Sequence, residues 1–77
     1  MDAIITKYTR SKSGEIRASC EKGSVKVLWQ PGEGTFENHC YAMRALCEKL
    51  KWNHLEGRWH PGEIRGGFAW VFVPSKI

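Results

Sequence analysis

From Ala3 to Gln30 the chain reads as short stretches of β-forming or alternating residues, broken by turn residues. Ala3 to Thr9 is β-branched and aromatic, which predicts a first strand, and Arg10-Ser11-Lys12-Ser13-Gly14 is a polar turn. Glu15 to Glu21 alternates, with Ile16, Ala18 and Cys20 on one face and Arg17 and Ser19 on the other. Lys22-Gly23 closes a hairpin. Ser24 to Gln30 alternates again, Val25, Val27 and Trp29 against Lys26, Leu28 and Gln30, until Pro31-Gly32-Glu33-Gly34 breaks the run. Three strands in a meander follow.

At Thr35 the period changes to about 3.6. Thr35 is a suitable N-cap, because its hydroxyl can accept from a first-turn amide, and Glu37 suits the positive end of the helix dipole. At 100° per residue, Phe36, His39, Cys40, Met43, Leu46, Cys47 and Leu50 fall within an arc of roughly 120°, one buried face. Glu37, Tyr41, Arg44, Glu48 and Lys51 point away, and Lys49 and Lys51 suit the negative end. Leu55 to His60 and Gly67 to Val73 then predict two further strands joined by a Pro61 to Gly66 connection. The last strand is apolar on both faces, the pattern of a central strand or of one face covered by a partner. The order is β-β-β-α-β-β: an α+β fold with one helix packed on one face of a mostly antiparallel sheet, leaving the other face open.

Seventy-seven residues allow one compact domain, close to the size at which a core alone can offset the ordering entropy of the chain. With 42% hydrophobic and 26% charged residues the chain has the composition of a soluble globule, and no apolar run approaches the ~20 residues of a membrane span. The N-terminus has no charged leader followed by an apolar core, so a cytosolic protein is expected. The net charge of +4 favours acidic partners. Lys7, Arg10, Lys12, Arg17, Lys22 and Lys26, set against Glu15 and Glu21, account for the whole of that excess.

The candidate chemistry lies in ENHCYAMRALCEKLKW, residues 37–52. Cys40 and Cys47 are seven residues apart, about 10 Å along a helix axis, too far to share a metal, and no ligand pair has the short spacing of structural zinc sites. The three cysteines, Cys20, Cys40 and Cys47, form neither a disulfide framework nor a C-x-x-C motif and read as reduced, buried thiols. His39 beside Cys40 supplies neither a placed base nor an acid to orient the ring, as a nucleophilic thiol requires. The eight acids are scattered singly, with only Glu33 and Glu37 able to approach each other, and Gly62 to Gly67 lacks the signature of a phosphate loop. The expectation is a core helix, no metal, no cofactor and no catalytic residue.

Binding remains. Trp29, Trp52, Trp59 and Trp70, with two tyrosines and three phenylalanines, are a large aromatic area for a fold with one helix. The alternatives are that these rings pack in the core, or that some are exposed anchors, and Arg58-Trp59-His60 has the composition enriched at binding hot spots. Cations with aromatic neighbours also suit stacked bases, although the sequence run of an RNA-binding sheet is absent. Lysines on exposed strands also protect sheet edges from aggregation. The expected binding residues are Arg10, Lys12, Arg17, Lys22, Lys26, Arg58 and Trp59.

Ala3-Ile4-Ile5-Thr6-Lys7-Tyr8, Ile16-Arg17-Ala18, Glu37-Asn38-His39 opening a helix through Ala45-Leu46 to Lys49-Leu50-Lys51-Trp52, and Val71-Phe72-Val73-Pro74 together resemble a family of small proteins encoded by phages, prophages and other mobile elements. The resemblance spans nearly the whole chain and brings no catalytic residues. A glycine commonly precedes the tryptophan after the helix in that family, where this chain has Lys51. The order of elements is also similar to that of some small anti-CRISPR inhibitors of phages. The resemblance implies a non-enzymatic protein that docks on a host protein or nucleoprotein complex in the host cytoplasm, as an inhibitor of a CRISPR-type defence. The alternatives left open are a DNA- or RNA-binding module using the same cations, and a homodimer formed through the last strand.

Overall fold

The computed structural model describes residues 3–9, 14–52 and 55–75. The expected binding residues Arg10 and Lys12 lie outside them. The elements run β1 (Ile4–Thr9), β2 (Glu15–Cys20), β3 (Gly23–Leu28), α1 (Thr35–Lys49), β4 (Gly57–Ile64) and β5 (Gly67–Pro74). One five-stranded sheet has the order β3-β2-β1-β5-β4, with every neighbouring pair antiparallel. The fold is α+β with the β-β-β-α-β-β order.

Alternation decides the faces. Ile4, Thr6, Ile16, Ala18 and Trp70 turn toward α1 and are buried with Ala42, Met43, Leu46 and Cys47 of the helix. The helix is set off-centre: it lies over β2 and β3, reaches β1 and the near part of β5, and does not reach β4. On the β5 side rings replace the missing helix. Phe36 stacks on Trp70 with centroids 5.6 Å apart, and Trp52 stacks on Trp59 at 5.9 Å. No tryptophan is exposed: Trp70 is buried and the other three are half-buried, so the aromatic surplus is absorbed largely by ring-on-ring packing.

The helix start differs from the expectation. Thr35 is already the first helical residue; Gly34 occupies the cap position in extended backbone, and no side chain caps the end. The anchoring residue is Asn38, 1% exposed. Its Oδ1 accepts from the Gln30 backbone N–H at 2.7 Å, and its Nδ2 donates to the carbonyls of Gly34 at 2.9 Å and Gln30 at 3.1 Å. A side chain within the helix thereby holds the loop that leads into it. The buried arc shifts accordingly: Asn38 and Ala42 are inside, whereas Phe36 is exposed and Cys40 and Leu50 are half-buried.

At the other end, the Trp52 N–H bonds to the Cys47 carbonyl at 2.8 Å and the Lys51 N–H to the Glu48 carbonyl at 3.1 Å, the paired bonds of a Schellman termination. That motif places the residue after the cap in the left-handed region, and Lys51 has φ +59, a conformation in which glycine is the usual occupant.

The segment expected to connect the last two strands is itself strand. β4 continues through Pro61 and Gly62 to Ile64, and only Arg65 and Gly66, the latter at φ +82, form the turn. Pro61 is accommodated because β4 is an edge strand with one side unpaired. β5 is interior over Gly67–Trp70, which pairs with β1 on one side and β4 on the other, while Val71–Pro74 pairs with β4. Its outward residues Val71 and Val73 are 50% and 47% exposed.

Candidate binding surface

Directly paired residues share a face, and every second pair points away from α1. Lys7 of β1 stands opposite Arg17 of β2, and Arg17 stands opposite Lys26 of β3. All three are exposed. Strands about 4.8 Å apart place the cations in a row spanning roughly 10 Å. Like charges directly opposite each other are destabilising, by roughly 0.2–1 kcal/mol per pair. On this face Glu15, two residues from Arg17 along β2, is the acid nearest by register.

Beyond Lys7 the row meets Gly67, whose backbone approaches the Thr6 carbonyl so closely that a Cβ has no room. Past this gap an apolar strip runs along β5, flanked on β4 by His60 opposite Val71 and Arg58 opposite Val73. Ile5 pairs with Ala69, and Val71 and Val73 follow along β5. A basic row and an apolar strip thus share one face.

The expected binding residues divide between places. Arg17 and Lys26 come together, joined by Lys7, which alternation alone identifies as their neighbour once the register is known. Lys22 is in the turn between β2 and β3. Arg58 is also on the open face, opposite Val73, but about 20 Å along the strands from the row. Trp59 is on the other face: it packs half-buried between Trp52 and Phe72, with the Phe72 centroid at 5.3 Å. Every aromatic residue of the strands (Tyr8, Trp59, Phe68, Trp70 and Phe72) belongs by register to the helix side. The cations therefore have no stacking platform beside them.

The candidate chemistry of residues 37–52 resolves into core contacts. His39 is buried, and its Nδ1 is 2.8 Å from the Thr6 hydroxyl, which also accepts from the Trp70 indole N–H at 2.9 Å. The Thr6 hydroxyl also lies 3.5 Å from the Phe68 carbonyl, so one buried oxygen ties the ring, the indole and the β5 backbone together. Burial lowers the His39 pKa, opposed by hydrogen bonding at Thr6, in keeping with a neutral ring. Burial likewise pushes the Cys40 and Cys47 thiols up, keeping them protonated. Cys47 rests its sulfur 3.7 Å from that of Met43. Glu33 is engaged by the Tyr41 hydroxyl at 2.7 Å, which raises the phenol pKa. Among the described residues no three His, Cys, Asp or Glu side chains are grouped to hold a metal, and no helix is long and apolar enough to cross a membrane.

No family model, curated protein or solved structure matches the chain. The reading of this surface rests on its geometry.

Proposed function

We propose that this is a non-enzymatic binding protein that docks its open sheet face on an acidic, partly apolar surface of a host protein or nucleoprotein complex. The observation that carries the reading is the Lys7-Arg17-Lys26 row beside the Ile5-Ala69-Val71-Val73 strip. An unneutralised row costs stability in the free protein, and that cost is relieved when carboxylates of a partner approach. The exposed valines supply the apolar part of such a contact. The phage resemblance nominates a CRISPR-type defence complex in the host cytoplasm as the partner to be inhibited. The protonated thiols of half-buried Cys40 and buried Cys47 and a neutral, hydrogen-bonded His39 support a non-catalytic role.

Direct binding of DNA or RNA is the other reading that three aligned cations favour. The lack of strand aromatics on that face weighs against stacking of single-stranded bases there.

The test is affinity capture from a bacterial host with and without nuclease, followed by binding of the purified target complex to the parent protein, Arg17→Glu and Val71→Asp. The expected result is a nuclease-resistant complex weakened about tenfold or more by each substitution. Capture lost on nuclease treatment, with duplex-DNA affinity falling at a log–log salt slope of about −2.7 for three phosphates, overturns the reading in favour of nucleic acid.

A further inference from the structure

On the side opposite the cation row, a cavity of about 430 Å³ opens between the start of α1 and the β4–β5 turn. This is within the range of small-ligand sites, roughly 300–1,000 Å³. Three aromatic residues line it: Tyr8, Trp29 and Phe68. Tyr8 and Trp29 meet at 84° with centroids 5.3 Å apart, so their faces form a right-angled corner. Trp29 is fixed by its backbone N–H on the Gly14 carbonyl at 3.1 Å. Phe68 is fixed by edge-to-face contact with His39 at 4.9 Å.

Glu63 also lines the cavity, standing directly across from Phe68 in the β4–β5 pairing. Among the described residues no lysine or arginine lines it, and Arg65 at the adjoining turn is exposed and outside it. His39, the one basic side chain among the described residues of the wall, is held neutral by its burial. Aromatic faces present negative potential to a cation, and a carboxylate beside them supplies the counter-charge. An anion here would meet Glu63, and an uncharged apolar group would gain nothing from it.

We propose that this cavity binds a methylated ammonium group, against the faces of Tyr8, Trp29 and Phe68 with Glu63 as the counter-charge. The group belongs either to a free choline-like molecule or to a methylated lysine of a peptide, since both present the same headgroup. The site is independent of the open-face docking surface, which lies on the other side of the sheet.

The experiment is an NMR titration of the full chain with choline, with 3,3-dimethyl-1-butanol as its uncharged carbon isostere, and with a short trimethyllysine peptide. Shifts centred on the Trp29 indole and Tyr8 ring, with choline or the peptide binding about tenfold more tightly than the isostere, support the proposal. A peptide tighter than choline identifies protein-borne lysine as the source, and the reverse order identifies a free ligand. Trp29→Ala is expected to abolish binding, and exposed Glu63→Gln, which leaves the packing intact, to weaken it about threefold or more. An isostere that binds as well as choline, or a Glu63→Gln variant that binds choline like the parent, overturns it.

Discussion

Lys7 and Arg17 face each other directly across β1 and β2, and both stand on the sheet face that α1 leaves uncovered. Neither position is required by the core, since each points away from it. A third cation, Lys26, extends the contact to β3. The repulsion is built into the register, and any stretch of strand that kept Ile16 and Ala18 inward would put residue 17 in the same place.

Arg17→Glu converts two like-charge contacts into two opposite-charge ones. The isolated variant is expected to be more stable than the parent by about 1 kcal/mol in urea unfolding at low salt, the gain shrinking at molar salt. On the proposed function, the same substitution is expected to weaken partner binding. A variant that loses stability instead would show that the row is not strained in the free protein.

Thr6 is the one hydroxyl shared by His39 and Trp70. Thr6→Val keeps the shape and strands both nitrogens in the core. A loss of about 3 kcal/mol is expected, read as a lower urea midpoint at an unchanged slope. Thr6→Ser, which keeps the hydroxyl, is expected to lose about 1 kcal/mol for its missing methyl group.

The neutral state of His39 gives a signed pH dependence. Its pKa in the fold lies below the ordinary 6.5, so the unfolded chain takes up a proton first as pH falls. The His39 contribution is fully present above about pH 7 and is lost progressively as pH drops below 6.5 toward the folded pKa. Unfolding free energies measured between pH 8 and 5 check this, and His39→Gln is expected to flatten the curve at a lower plateau.

Lys51 holds a left-handed backbone conformation that disfavours any residue with a Cβ. Lys51→Gly is expected to stabilise the fold by about 1 kcal/mol, seen as a higher melting temperature with an unchanged circular-dichroism spectrum. An equal or lower melting temperature would mean that the lysine side chain contributes something the backbone strain does not outweigh.

The β-branched and aromatic residues 3–9, the alternation in residues 15–30 and the 3.6 period from Thr35 are local properties, and they suffice to place the first three strands and the helix. The same local reading ended β4 early, because Pro61 and Gly62 look like a loop until the edge position of that strand is known. It likewise assigned the helix cap to Thr35 and passed over Asn38, whose partners are backbone groups of the preceding loop in a bent geometry that has no residue pattern of its own.

At the candidate surface, residue identity and strand alternation suffice to say which side chains are charged and which of them share a face within a strand. That Lys7, Arg17 and Lys26 stand in one row follows from register, which depends on strand pairing across the sheet. Tertiary packing also separates Trp59 from those cations, since the aromatic residues fill the space on the helix side that α1 does not reach. The physical reason is the same in both cases: one strand alternation fixes two faces, and long-range packing decides which of them is buried.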